Sequence, residues 1–340
     1  MAAPRPCWAL PQELRDERIL SLLRDLVRIN TEHAAPAPGA PYGEGCELAL
    51  RRALLECESR GMRTSRLGQK VGIAEVGEDG PLMAFPVVRG EKARLHLVLT
   101  CDDVDLPAGL SISGGTAANV VPDSAQATLP DGTTVRASGK SAHGSTPERG
   151  QNAICALLRE LAGTPEVSGD VVCLFERLFC RDLTGAALGI DVPDDEFGHT
   201  SVNLGVLEAQ GRRVRIELDV RFGSGISEDE VVSRLQGALG ARWDVRVAMS
   251  KQLHLVPEDD SCMQALLAAY ERVTGEPGTT SVMAGGTYAS LLPALVAFGP
   301  KLPGTHTGAH GIDEHVLLEN ISKATDIYEA ALEALVELSA

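Results

Sequence analysis

The run Arg136-Ala137-Ser138-Gly139-Lys140-Ser141-Ala142-His143-Gly144-Ser145-Thr146-Pro147-Glu148-Arg149-Gly150-Gln151-Asn152-Ala153 decides how the chain is read. The β-rich residues 127–138 deliver the backbone into a turn bracketed by glycines, with His143 at its tip. Pro147 is expected to open a helix, because its missing N–H costs nothing there and its fixed φ suits a first turn. Ala153, Ile154, Ala156, Leu157, Leu158 and Leu161 continue that helix at helical spacing. Ser141, Ser145 and Thr146 flank the histidine. Local chemistry leaves two readings open: a histidine poised to meet an anionic ligand, or a surface histidine in a polar loop.

The surrounding chain sets the scale. Its 340 residues are enough for two domains. Hydrophobic residues make up 44% and charged residues 23%, the composition of a soluble globular protein. A net charge of -16 argues against nucleic acid or an anionic membrane surface as partner. No apolar run approaches the roughly 18 residues that span a bilayer. Residues 1–11 have no signal-like apolar core, which points to a cytoplasmic protein. The eight cysteines include no C-x-x-C pair, and several, on apolar helix faces, are expected to be reduced core residues.

Periodicity predicts a broad amphipathic helix over residues 11–30 and a second over 43–60. Two short strands follow around Gly68 and Gly72, and residues 77–81 form a turn cluster. Composition changes after Arg89-Gly90-Glu91-Lys92. Strands are expected over 94–100, 110–113, 126–129 and 243–249. A hairpin is expected from 200–208 and 213–222, joined by Ala209-Gln210-Gly211-Arg212. Residues 171–179 are expected to be helical, and Ser227 caps a helix reaching Leu239. Residues 94–250 therefore read as an α+β layer, a sheet with helices on one face. Beyond Pro257, the pattern predicts a helix over 261–274, a glycine turn at 285–289 and a buried strand over 294–299. A polar loop with three histidines and a closing helix over 315–338 complete the chain.

Several segments together resemble the PepV-type dipeptidases of the aminoacylase and carnosinase-like metallopeptidase family. Residues 139–153 resemble its "SGKSAHGSTPE-G-NA" segment and residues 114–123 its "GGTAPNVVPD". Asp219-Val220-Arg221-Phe222 resembles "DVRYP", with Gly223 where proline is usual. Residues 285–289 and 297–300 resemble "GGTYA" and "AFGP", and residues 309–314 the last metal-histidine segment. The resemblance implies an α/β fold in which a zinc-peptidase-like catalytic domain, residues 1–92 and 251–340, is interrupted by a ferredoxin-like α+β lid and dimerisation domain, residues 93–250.

The same resemblance implies a chain on the order of a hundred residues longer. Here Gly80-Pro81 runs almost directly to Phe85-Pro86. The family's H-x-D-V-V-P-A-G strand, its R-G-x-x-D-D-K-G segment and its Glu-Glu pair have no counterpart, so an internal deletion of the metal-binding segment is expected. Cys101 to Gly109 superficially echoes D-V-V-P-A-G. It lacks the preceding histidine and reads as an acidic loop around Asp102, Asp103 and Asp105.

By resemblance, His143 stabilises a tetrahedral oxyanion and Asn119 donates to the substrate. Arg221 clamps the substrate carboxylate, and Gly285, Gly286 and Thr287 offer backbone N–H groups to it. His310 is a former metal ligand. The implied cofactor is zinc or manganese at an incomplete site, and the implied substrate is a dipeptide or N-acyl amino acid. A homodimer through the lid is also implied. Glu44, Glu91 and Glu314 are read as loop-fixing residues. Two functions stand: a metal-dependent dipeptidase impaired by the missing ligands, or a non-catalytic relative acting as a peptide-binding or dimerising scaffold.

Overall fold

The computed structural model describes residues 12–29, 35–38, 40–59, 63–67, 71–75, 85, 87–165, 167, 169–292, 294–305 and 317–338. The chain divides into two compact units. One comprises Met1–Val87, Glu258–Thr279 and Phe298–Ala340, and the other Val88–Pro257 and Thr280–Ala297.

In the first unit, helix α1 (Gln12–Val27) is followed by α2 (Glu44–Ser59) and an antiparallel pair, β1 (Arg63–Leu67) and β2 (Val71–Glu75). Glu47 on α2 holds Arg66 of β1 at 2.6 Å and also Arg51. These two guanidiniums pull its carboxyl down to about 2. Leu48 and Leu55, seven residues apart on α2, are both exposed. Helices α6 (Ser261–Thr274) and α7 (Leu318–Leu338) pack on each other. Phe85 lies 4.5 Å from Phe298 and 5.0 Å from Tyr328, ring centre to ring centre, and makes the aromatic core of this unit. Burial pushes the Tyr328 phenol up to about 12.

The second unit carries the larger core. Strands β3 (Val87–Glu91), β4 (Ala93–Cys101), β5 (Ser111–Gly114), β6 (Ser124–Thr128), β7 (Thr134–Ser138), β8 (Ser201–Gln210), β9 (Arg213–Phe222), β10 (Asp244–Lys251), β11 (His254–Leu255) and β12 (Thr280–Met283) form two sheets. One is a seven-stranded antiparallel sheet of order β10-β4-β9-β8-β5-β6-β7; the other is a three-stranded sheet of order β11-β3-β12. The apolar stripes of α3 (Ala153–Ala162), α4 (Asp170–Phe179) and α5 (Glu228–Leu239) close over the larger sheet. Ile154, Leu157, Leu158, Phe175, Phe179, Val231 and Leu235 join its core. The 209–212 hairpin forms as expected. Ser227 makes a full capping box with Glu230 at the start of α5.

Four expectations are corrected. Pro147 opens a single 3-10 turn, Pro147–Arg149, not a helix. Gly150 is extended and Lys140 bridges Gln151, so α3 starts only at Ala153, where Asn152 Oδ1 accepts from the Cys155 N–H at 3.2 Å. The β-rich run 127–138 splits into β6 and β7, because the Leu129 N–H bonds to the Thr133 carbonyl and Gly132 takes φ 88°. Residues 294–299 are buried over 296–299 but form no strand. One bridge joins Ala297 to Val88, and Gly299, at φ 84°, turns the chain away. Cys155 and Cys180, expected reduced, form a disulfide with their Cα atoms 5.1 Å apart. Helices α3 and α4 bring the two together, and a separation of 25 residues gives no spacing signal. The loop 306–316, with His306, His310 and His315, lies outside the described residues.

Candidate functional site

Backbone hydrogen bonds hold the His143 turn to the neighbouring 114–123 loop. Gly144 donates to the Asn119 carbonyl at 2.7 Å, Val121 to the Ala142 carbonyl at 2.9 Å, and Val120 bridges His143. A Cβ on Gly144 would sit 3.0 Å from the Asn119 backbone, so any larger residue would push the two loops apart by a few tenths of an ångström. His143 Nδ1 accepts the Ser145 N–H at 3.1 Å and lies 2.7 Å from Ser145 Oγ. That bond assigns the proton of a neutral ring to Nε2, making Nε2–H the donor of this exposed imidazole.

A residue that sequence reasoning missed fixes this pair. Asn203, on β8 and 1% exposed, donates to the carbonyls of Ala118 at 2.7 Å and Val120 at 2.9 Å, on either side of Asn119. The signal was an amide inside the otherwise apolar Val202-Asn203-Leu204-Gly205-Val206-Leu207. Gly205 completes the fit. A Cβ there would meet Ala118 Cα at 2.4 Å.

Arg221 is buried on β9. Its Nε donates to Asp219 Oδ1 at 2.7 Å, its Nη2 to Asp219 Oδ2 at 3.3 Å and its Nη1 to the Ala284 carbonyl at 2.6 Å. Asp219, fully buried, also takes Arg94 Nε at 2.7 Å. Arg221 is thus joined to the chain one residue before Gly285. The register sets Arg221 between Arg94 of β4 and Ser201 of β8, and Asp219 opposite Asn203.

The Gly285–Thr287 turn is already serving a carboxylate of the chain. Thr287 donates its N–H to Glu91 Oε1 at 2.8 Å and its hydroxyl to the same oxygen, while Lys251 Nζ donates to Glu91 Oε2. Burial alone would raise the Glu91 carboxyl; these bonds outweigh it and hold the group below its usual range. Glu91 therefore fixes a loop, as read from the sequence. The acidic loop likewise behaves as one: Asp103 pairs with Arg212 and Asp102 with Arg213, both at the β8–β9 hairpin.

A cavity of about 440 Å³ lies in the second unit, lined on one side by residues 145–148 after the histidine turn and on the other by residues 282–284 before the glycine turn. Lys92, His199 and Ser201 contribute polar groups and Leu183 and Phe197 apolar ones. The structure thus joins Asn119 to His143, and Arg221 to the glycine turn, and places this cavity between residues adjoining the two pairs. His310 lies outside the described residues.

Among the described residues the donor set does not fit a two-ion hydrolytic centre. Such a centre needs several N/O ligands converging on each ion. Among the described residues no group of three or more His, Cys, Asp and Glu side chains converges in that way. None of the eight histidines is followed two positions later by aspartate, and the chain contains no Glu-Glu pair. The buried carboxylates Glu91 and Asp219 are held by Lys251 and by Arg94 with Arg221.

The mixed α/β architecture and these motifs define a peptidase-type chain. A profile of peptidase family M20/M25/M40 matches residues 55–334, and the chain belongs to that family. A protein of Staphylococcus saprophyticus named "Putative dipeptidase SSP1012" is 27% identical over 208 residues, covering 60% of this chain and 44% of its own. The Beta-Ala-Xaa dipeptidase of Lactobacillus delbrueckii subsp. lactis is 26% identical over 197 residues, covering 57% of this chain and 42% of its own. The matched part of the chain thus spans less than half the length of these two relatives. The crystal structure of aminoacylhistidine dipeptidase from Vibrio alginolyticus matches with a TM-score of 0.48 at 16% identity, covering 87% of this chain and 76% of that one.

Proposed function

We propose that this chain binds dipeptides or N-acyl amino acids in its second unit and, as it stands, does not hydrolyse them. The observation that carries the reading is a division within the sequence. The segments that would hold a substrate are present and bonded in two pairs, Asn119 with the His143 turn and Arg221 with Ala284. The His-x-Asp and Glu-Glu segments that would hold two metal ions and a base are missing. Hydrolysis of an unactivated amide needs an activated water and a base together. A donor such as the His143 Nε2–H stabilises an oxyanion only after something has attacked the carbonyl.

The test is calorimetric titration with a dipeptide panel, alongside elemental analysis and an assay with added zinc or manganese. Weak dipeptide binding with less than one tightly bound ion per chain and no metal-stimulated turnover is expected. Two tightly bound ions, with turnover abolished by chelator and by His310→Ala, would overturn the non-catalytic part of the reading. Absence of any dipeptide binding would overturn the rest.

A further inference from the structure

We infer that Lys92, a residue that neither motif nor fold assigns, is the cation that takes a ligand's carboxylate in the 440 Å³ cavity, in place of the Gly285–Thr287 turn. The inference rests on the proposed binding of dipeptides or N-acyl amino acids and names the group that would hold their acidic end. Lys92 is 8% exposed. Its backbone N–H is spent on the Met283 carbonyl at 3.0 Å, which seats the residue between β3, β4 and β12. Among the described residues its ammonium has one hydrogen-bond partner, the neutral His199 carbonyl, and no carboxylate partner.

That makes it an exception in its surroundings. Arg89 has Glu196, Arg94 and Arg221 share Asp219, and Lys251 has Glu91. An ammonium has three donors, and burying one without a counter-ion is costly. Burial pushes the Lys92 amine below its ordinary value, Asp194, Asp191 and Glu148 pull it back up, and Arg221 opposes them. A ligand carboxylate would supply the missing counter-ion. Ser201 Oγ, on the wall of the same cavity, is buried with no hydrogen-bond partner among the described residues and offers a second donor.

The groups that the motifs suggest for this role are occupied. The Thr287 N–H and hydroxyl go to Glu91, and the Arg221 guanidinium is bonded to Asp219, which it shares with Arg94, and to the Ala284 carbonyl. The cavity walls fix the rest of the ligand class. Leu183, Phe197, Val282 and Met283 provide an apolar surface, and the volume suits a molecule of dipeptide size. The only carboxylate lining the cavity among the described residues is exposed Glu148, which disfavours a second acidic group and accepts an ammonium. The ligand is therefore a small monocarboxylate with an apolar body, with or without a free amine.

The probes are N-acetyl-leucine, its uncharged amide and leucyl-leucine, titrated into the full chain and into Lys92→Met and Lys92→Arg. The acid and the dipeptide are expected to bind and the amide not to bind. Affinity should fall at least tenfold in Lys92→Met and recover in part in Lys92→Arg. Unliganded Lys92→Met should melt at or above the parent temperature, whereas a merely structural lysine would lower it. Equal affinity of acid and amide, or unchanged affinity in Lys92→Met, overturns the inference. Dipeptide binding lost in Asn119→Ala but intact in Lys92→Met removes Lys92 and leaves the proposed function standing. Lys92-dependent binding of N-acetyl-leucine without any dipeptide binding retains the site and removes the dipeptide reading; no binding of either acid overturns both.

Discussion

Thr287 donates its backbone N–H to Glu91 Oε1 at 2.8 Å, joining segments 196 residues apart in sequence. With Lys251 on the other carboxylate oxygen, this contact ties the end of β3 to the end of β10 and to the glycine turn. Glu91→Gln keeps an acceptor for Thr287 but strips Lys251 of its partner. Because Lys251 is partly exposed and can turn to water, the expected loss is about 3 kcal/mol, the low end for a broken buried pair. Urea unfolding measures it.

The same group sets a pH dependence. Its folded pKa lies below the ordinary glutamate value of about 4.3, so the unfolded chain binds its proton first as pH falls. The stability it contributes is complete above that value and disappears as pH drops through the folded pKa. Unfolding midpoints of the parent should therefore fall more steeply below pH 4.5 than those of Glu91→Gln. Parallel profiles would show that the carboxylate is not held as described.

Asp219 lies between two guanidiniums, and its removal should be more costly. Asp219→Asn leaves Arg221 buried and uncompensated, with an expected loss of about 3–5 kcal/mol. Adding Arg94→Leu should restore part of that loss by removing one of the two like charges, a coupling that a double-mutant cycle reads directly. Additive losses in the double variant would contradict a shared network.

Much of this framework is legible along the chain because it is local. The β8–β9 hairpin, the Ser227 cap and helix α6, which runs over Ser261–Thr274, follow from alternation, a capping pattern and helical spacing. What escapes the sequence is contact between distant segments. Lys92 reads as one more charge at a composition break, and only the fold buries it with no carboxylate bonded to it among the described residues. The Cys155–Cys180 pair depends on how α3 packs on α4. Pro147 misleads because the extended Gly150 and the Lys140–Gln151 bridge override the local preference. The neighbourhood of Asn119 and His143 was accessible only through resemblance to a family, whereas the Asn203 amide that holds it was visible as a polar residue in an apolar strand.

Two glycines with similar φ separate strain from crowding. Gly115 and Gly132 have φ 74° and 88°. A Cβ on Gly115 would lie 1.8 Å from the Gly205 carbonyl oxygen, whereas one on Gly132 meets nothing within 4 Å. Gly132→Ala should cost only the left-handed penalty, about 1–2 kcal/mol. Gly115→Ala should cost more and displace the loop bearing Asn119, weakening dipeptide binding as well as stability. Thermal melts and titration of both variants check this, and equal costs would show that the Gly115 loop yields freely.

The last prediction concerns what the second unit needs in order to fold alone. Residues 93–250 hold all seven strands of the large sheet except Lys251 at the end of β10, and they include α3, α4 and α5. They omit β3, β11 and β12, and with them Glu91, Lys92, Lys251 and Thr287. Cutting there removes Gly90, Leu255 and Val282; Leu255, Val282 and Phe197 all close in on the Gly90 backbone. Arg221 also loses the Ala284 carbonyl. Exposed apolar surface costs about 25 cal/mol per Å², so these losses accumulate along one side of the unit. A chain of residues 88–257 joined by a short Gly/Ser linker to 280–297 retains every one of these contacts. It should unfold cooperatively and at higher urea than residues 93–250 alone. Equal urea midpoints for the two chains would show that the small sheet and its Glu91 junction add nothing to the stability of the larger one.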